Sequence, residues 1–402
     1  MRAQERFLQY IQYPTASDAQ SLACPSTQGQ RVLGEALVVE MLRLGIADAR
    51  IDAFGYVYGS IPSNVSDAPA IGLIAHMDTV DSVPCQPMRA RIVTAYDGGD
   101  IVLDAQTNEV LSPLQDTALA AYRGQDLIVT DGRTLLGADD KAGIAEILTL
   151  CEQLCDDPAL PHGKICIAFT PDEEIGNGTD HFDVAGFGAS FAYTVDGGEL
   201  GELEYENFNA ATGRVLVHGV SIHPGSAKNK MKNALLIAIA FQTMLPAHEI
   251  PACTEGYEGF YHLQSLHGNE ERAEMLYILR DHDLQRFLDR KARFSKIADY
   301  LNDQYGAGTL ECTVTDSYYN MKEKILPHMD IVHRAERAMT EAGVTPRVVP
   351  IRGGTDGARL SYMGLPCPNL STGGMNYHGR HEWIPVQALD AMVRVLHALV
   401  RA

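Results

Sequence analysis

Ile71-Gly-Leu-Ile-Ala-His-Met-Asp-Thr-Val80 opens on an apolar run and closes with His76 and Asp78, two residues apart. A short run of this kind predicts a buried strand. On an extended backbone residues i and i+2 share a face, so an imidazole and a carboxylate leave the strand end side by side. The pairing suits a metal ligand whose far ring nitrogen is oriented by a carboxylate. Alone it says little, because a surface His beside an Asp is common. The acidic residues that follow, each at the end of its own apolar run, give it weight.

Before this stretch, Phe7 and Ile11 have helix-like spacing ahead of a break at Pro14. Val32, Leu33, Leu37, Met41 and Leu42 recur at helical spacing up to Gly45, and residues 51–61 read as a strand hairpin. After it, residues 81–134 are irregular, with short strands expected around 90–94, 100–104 and 126–129. They read as an elaboration between strand and helix, not as a domain.

Leu135-Leu-Gly-Ala-Asp-Asp-Lys-Ala-Gly143 then runs into a helix with Ile144, Ile147, Leu148, Cys151 and Leu154 on one face. Two further buried strands, 165–170 and 191–195, end in Pro171-Asp-Glu-Glu-Ile-Gly176 and Asp196-Gly-Gly. Strands alternating with helices, with polar residues just past the strand ends, describe an open α/β sheet. Ligands of such sheets bind beyond the carboxyl ends of the strands.

The pattern changes between about 208 and 320. Strand 214–220, helix 234–245, strands 261–266 and 275–280, a long helix and strand 310–315 give the order βαββαβ, a ferredoxin-like α+β unit. The long helix is expected to turn Leu284, Phe287, Leu288, Phe294, Ile297 and Leu301 inward. Helices resume at 329–342, near Asp356 and at 386–401. The expected division is therefore a first catalytic part over 1–207, an insertion over 208–321 and a second catalytic part over 322–402.

Composition narrows the function. The 402 residues are 46% hydrophobic and 21% charged, ordinary for a globular chain. A net charge of −20 argues against nucleic acid or an anionic membrane as partner, since both need basic patches. No apolar run approaches the roughly 20 residues of a membrane span, and the N-terminus has no export-signal pattern. Eight cysteines without close motif spacing suggest a reducing cytoplasm and no disulfide framework. Dinucleotide, Walker A and serine-hydrolase elbow patterns are missing from the sequence.

The strand-end polar residues are His76, Asp78, Asp139, Asp140, Glu173, Glu174 and Asp196, joined later by His378 and His381. Crowding so many carboxylates costs several kcal/mol in repulsion unless cations neutralise them. Asp, Glu and His without cysteine fit divalent Zn, Mn or Co. Two metals about 3.5–4 Å apart need one bridging carboxylate, and each then takes a His and a carboxylate. A remaining Glu can take a proton from water and pass it to a leaving amine. The plainer alternative is that these acids cap helices and turns.

Ala-His-Met-Asp-Thr, Gly-Ala-Asp-Asp-Lys-Ala-Gly, Pro-Asp-Glu-Glu-Ile-Gly, Val-Asp-Gly-Gly and Tyr-His-Gly-Arg-His-Glu stand in order along the chain. Together they resemble the M20 family of co-catalytic zinc peptidases, and within it the tripeptide aminopeptidases, over essentially the whole length. The resemblance implies a mixed-sheet zinc-peptidase catalytic domain interrupted by a lid and dimerisation domain. It implies two Zn2+ per subunit, with Co2+ or Mn2+ as substitutes, held by His76, Asp139, Glu174, Asp196 and His378. Asp139 looks like the bridge, followed in many family members by a cis peptide, and Asp78 like the partner of His76. Glu173 looks like the general base; family order, not spacing, separates it from Glu174. His381 competes with His378, and the relatives' usual aromatic at position 381 favours His378.

Ser221-Ile-His-Pro-Gly-Ser-Ala-Lys228 resembles the family's His-Pro-Gly segment, in which His223 would polarise the scissile carbonyl from a partner subunit. A His fixing a Pro-Gly turn is the plainer reading. For substrate termini the candidates are Asn233, Arg280 and Arg352, an Arg being able to grip a carboxylate with two hydrogen bonds. The reading is thus a dizinc aminopeptidase acting on tripeptides, a homodimer through its insertion. Its rivals are another M20 dipeptidase, carboxypeptidase or N-acyl-amino-acid hydrolase, and a non-catalytic metal-binding homologue.

Overall fold

In the computed structural model, which describes residues 1–401, the chain divides into two compact units. The first comprises Met1–Tyr205, Glu323–Val349 and Thr355–Ala402; the second comprises Glu206–Lys322 and Pro350–Gly354.

The first unit is built on β1 (Ile71–His76), α1 (Ala138–Asp156), β2 (Ile165–Thr170) and β3 (Phe191–Gly197). Every residue of β1 and β2 is buried. That is why both read as continuous apolar runs with no polar alternation. They lie in an eight-stranded sheet, in the order 50–51, 57–61, β2, β1, β3, 369–371, 202–204 and 347–348. The four central strands β2, β1, β3 and 369–371 are parallel, so their carboxyl ends open on one edge. Strand 57–61 joins antiparallel to β2 and forms the expected hairpin with 50–51. The sheet is therefore mixed, the α/β class its sequence predicts.

α1 packs across β1 and β3, with helices Ala3–Tyr10 and Val386–Val400 alongside. Its approach depends on Gly143, where a Cβ would collide with Val195 O and the Asp140 carboxylate. The elaboration at 81–134 forms a three-stranded sheet (91–93, 127–129 and 383–385) and a two-stranded ribbon (101–104 with 109–111). The strand at 109–111 has no counterpart in the sequence reading. These pieces surround a separate apolar cluster of Tyr96, Leu103, Leu111, Leu119, Tyr122 and the fully buried Trp383.

The second unit follows the order β4 (Asn209–His218), α2 (Ala234–Met244), β5 (Phe260–Gly268), β6 (Arg272–Asp281), α3 (Leu284–Tyr305) and β7 (Leu310–Tyr318). All pairings are antiparallel, in the sheet order β5-β6-β4-β7. β4 begins five residues before the expected strand, because Asn209-Ala-Ala, of low strand propensity, nonetheless pairs fully with β6. Both helices cover the sheet over a core in which Phe294 meets Phe241 and Tyr277 edge-on, centroids 4.9 and 5.0 Å apart. Each such pair contributes about 0.5–1.5 kcal/mol beyond area burial.

One packing expectation fails on α3. Phe287, Phe294, Ile297, Ala298 and Leu301 are buried, an arc of about 100° at 100° per residue. Leu284 and Leu288 fall off its edge and are 47% and 42% exposed. The segment Pro350–Gly354, which the sequence reading left in the second catalytic part, joins the second unit. There Ile351 N donates to Glu206 O, and the Arg352 guanidinium donates to the carbonyls of Thr254, Gly256 and Glu258.

Candidate metal centre

β1 delivers His76 into a buried setting. Its Nδ1 lies 3.0 Å from the Asp78 backbone carbonyl and 3.4 Å from the Asp78 carboxylate. Nε2 points the other way, 2.8 Å from Asp139 Oδ1 and 3.4 Å from Asp196 Oδ1. The Asp78 carboxylate is completely buried and accepts from Glu173 N at 3.0 Å and Glu174 N at 3.1 Å. The i, i+2 reading paired the two side chains; the carbonyl takes the closer contact, and the carboxylate holds the turn after β2.

Asp139 stands at the start of α1 with non-helical backbone angles, and the Asp139–Asp140 peptide is cis. The two carboxylates part company. Asp140 turns inward and accepts from His76 N and Gly143 N. Asp139 offers each oxygen to a different ring: Oδ1 to His76 Nε2, and Oδ2 to His378 Nε2 at 3.0 Å. His378 adopts φ of +64°, a left-handed conformation that His tolerates better than most residues. Its Nε2 is also 3.1 Å from Glu174 Oε1.

Two triads result, His76/Asp139/Asp196 and Asp139/Glu174/His378, the ligand atoms within each lying within 4.8 Å of one another. Asp139 is common to both. His381 is elsewhere, its Nε2 2.6 Å from Glu109 Oε1. Glu173 is half-buried beside Glu174, on the turn that Asp78 holds.

The electrostatics are those of compressed negative charge. Burial, then the charge of Asp196, pushes Glu173 well above the usual carboxylate range. Burial likewise lifts Asp196 to about 7 against the pull of His76, and it lifts Glu174, with Asp139 adding to the effect. Burial also works against charge on Asp139, but hydrogen bonds from His378 and His76 hold it well below the ordinary range. The hydrogen bond to Asp139 and the adjacent Glu174 carboxylate carry His378 up to about 10. For His76, burial alone favours the neutral ring, yet Asp196 and Asp139 raise it well above its usual value.

Such a cluster fits divalent cations. All five donors are imidazole or carboxylate, the set suited to Zn, Mn or Co. Glu174 Oε1 is buried and, despite the nearby ring, makes no geometrically acceptable hydrogen bond, as an oxygen reserved for a cation does.

Sequence reasoning passed over three supporting acids. Asp172, with φ of +60°, accepts from Ser26 N and Gln30 Nε2 at 2.7 Å each and anchors the turn carrying Glu173. Asp356 is buried and accepts from Thr170 Oγ1 at the end of β2. Glu382 binds backbone N–H groups ahead of Asp139. Asp172 and Glu382 stood inside quoted motifs, but their partners lie far away in sequence, Ser26 and Gln30 for the first and backbone N–H groups for the second.

The remaining candidates belong to the second unit. His223 is exposed, and its Nδ1 accepts from Gly225 N at 3.1 Å, closing the Pro-Gly turn. Asn233 caps α2 through Leu236 N. Arg280 lies over the Tyr318 ring and donates to the Leu279 carbonyl, and burial lowers its pKa. Arg352 lies over Phe208 and Phe260. Neither arginine makes an ion pair among the described residues.

Comparison with known proteins agrees with this architecture. Residues 115–402 match Peptidase family M20/M25/M40. Peptidase T of Halothermothrix orenii is 56% identical over 397 residues, 98% of this chain and 97% of the relative. Among solved structures, an aminopeptidase PepT from Bacillus cereus superposes with a TM-score of 0.77 at 22% identity, covering 99% of this chain and 97% of the other. A tripeptidase from Staphylococcus aureus gives 0.79 at the same identity and coverage. This chain belongs to peptidase family M20/M25/M40, and it is a metallo-aminopeptidase.

Proposed function

We propose that this protein uses two divalent cations, zinc in the first instance, to release the N-terminal residue of tripeptides. The observation that carries the reading is Asp139, whose two oxygens face two different histidines within two ligand triads. His76 and Asp196 would hold one cation, His378 and Glu174 the other, with Asp139 between them. Whole-length similarity to a peptidase T supports the tripeptide as substrate.

When bound, the cation pair supplies Lewis acidity and makes water a nucleophile near neutral pH. Glu173 takes the proton from the attacking water and returns it to the departing dipeptide amine. Its raised pKa, set by burial and Asp196, suits a group that must both accept and return a proton. Asp78 keeps that base in place through the backbone N–H groups of Glu173 and Glu174. His223, delivered from a partner subunit, would donate to the oxyanion from its Nε2, the nitrogen opposite the one that closes the turn.

Arg280, Arg352 and Asn233 are the proposed holders of the substrate carboxylate end. A guanidinium that lacks a carboxylate partner, as Arg280 does among the described residues, is ready to receive one. Arg352 shapes the 254–258 loop with the same donors. The second unit would serve as lid and dimerisation domain. Leu236 and Ile239 on α2, 64% and 50% exposed, support a contact with a second copy. All eight cysteines are free, which fits a reducing cytoplasm. Among the described residues no helix is long and apolar enough to cross a membrane.

The test is release of free amino acid by zinc-loaded protein, with chelated controls. The panel is a tripeptide, the matching dipeptide and tetrapeptide, an N-acetylated tripeptide and an N-acyl amino acid. Cleavage confined to the free tripeptide, lost on chelation and restored by metal, is the expected result. Preference for the dipeptide or acylated compounds would move the protein to another branch of the family. Silence on the whole panel with metal bound would overturn catalysis.

A further inference from the structure

The loop that carries His378 is closed at its neck. Met375 and Trp383 exchange two backbone hydrogen bonds, of 2.8 and 3.1 Å, leaving residues 376–382 as a pinched excursion. The elaboration holds this loop from one side. Asp116 Oδ2 accepts from both Asn376 Nδ2 and Trp383 Nε1, each at 2.8 Å, at the two ends of the excursion. Trp383 is buried in the elaboration's own apolar cluster, its ring edge-on to Tyr122 with centroids 4.9 Å apart.

From the other side the loop sends Glu382 inward. This carboxylate is 2% exposed. Its Oε2 accepts from Gly137 N at 2.7 Å, and its Oε1 from Ala138 N at 2.7 Å and Asp139 N at 3.2 Å. The first turn of a helix leaves N–H groups without partners, and the residue that precedes α1, Gly137, has no side chain to supply a cap. Glu382 provides the missing acceptor from about 245 residues away. It fixes the backbone that aims Asp139, while belonging to the loop that aims His378.

We infer that Glu382 and Asp116 are positioning residues: from opposite sides of one closed loop they set His378 against Asp139, and so set the affinity of the cation site that these two share with Glu174. The inference rests on the two-cation reading above. Neither residue is itself a ligand. A purely structural cap at α1 stabilises the fold equally with and without metal, whereas a positioning residue changes the affinity of one site.

The experiment titrates chelator-stripped full-length protein with Zn2+ alone, against a competing indicator. Wild type, Glu382→Gln and Asp116→Ala are compared, and each is melted in the stripped and zinc-loaded states. In both variants one of the two zinc dissociation constants should rise ~10–100-fold. In Asp116→Ala, which does not touch Asp139, the other should stay within a few-fold, and in both variants the gain in melting temperature on zinc loading should shrink. Parallel losses of melting temperature in both states, with both dissociation constants unchanged, would overturn the inference. If Glu382→Gln yields no folded protein, Asp116→Ala decides alone, since Asp116 sits half-buried at the rim of the loop. Wild-type protein that binds fewer than two zinc ions would overturn the two-cation reading instead.

Discussion

The Asp78 carboxylate accepts the backbone N–H of Glu173, so the residue beside the first histidine also presents the candidate base. Its second oxygen accepts Glu174 N. Asp78→Asn keeps the shape but leaves only one acceptor oxygen, and one of the two N–H groups then faces an amide. We expect a ~10–100-fold loss of kcat on a tripeptide, measured at saturating zinc, with the stoichiometry of bound metal retained. An unchanged kcat would separate Asp78 from the chemistry.

Glu173→Gln removes the proton acceptor while preserving size. The expected outcome is a fall in kcat of ~10²–10⁴, with KM little changed and two equivalents of zinc still bound. Elemental analysis of the purified variant together with steady-state assay checks both halves. Loss of metal in this variant would reassign Glu173 as a ligand.

His378 and His381 are three residues apart and face different acids, Asp139 with Glu174 for the first and Glu109 for the second. His378→Ala should lose about one equivalent of tightly bound zinc, while His381→Ala should keep both. The opposite pattern in a metal titration would exchange their roles.

Away from the centre, Glu204 gives a pH signature. Burial lifts its carboxyl to about 8, although Asn369 Nδ2 donates to it at 2.9 Å. Between its ordinary pKa of about 4.5 and that value, the native chain keeps a proton the unfolded chain has released, so its contribution to stability falls as pH rises. Glu204→Gln stays neutral throughout. Its stability relative to wild type should therefore grow from pH 5 to pH 8, by on the order of 1–3 kcal/mol. Denaturant melts at several pH values measure this, and a flat difference would contradict it.

How much of this was legible in sequence follows from the range of each interaction. His76 and Asp78 could be read together because they share a strand end. Asp139, Glu174 and Asp196 stood out because each follows an apolar run that had to be a buried strand or open a helix. The order of the inserted unit was legible from its periodicities. The second acceptor for the His76 ring was not, because the Asp78 carbonyl is backbone and carries no sequence identity. Glu382 was hidden for a related reason: its three partners are N–H groups about 245 residues distant. Leu284 and Leu288 misled because apolar character alone does not say where an arc of burial ends.

The return of Pro350–Gly354 to the second unit has a consequence for recombination. The chain passes between the units four times, after residues 205, 322, 349 and 354, where a simple insertion needs only two passages. Excising 206–322, or exchanging it with that of a relative, strands a five-residue piece whose Arg352 and Ile351 were matched to the removed 254–258 loop and Glu206. A chimera that respects the architecture transplants both segments together, and natural shuffling of the unit as a single cassette is disfavoured for the same reason.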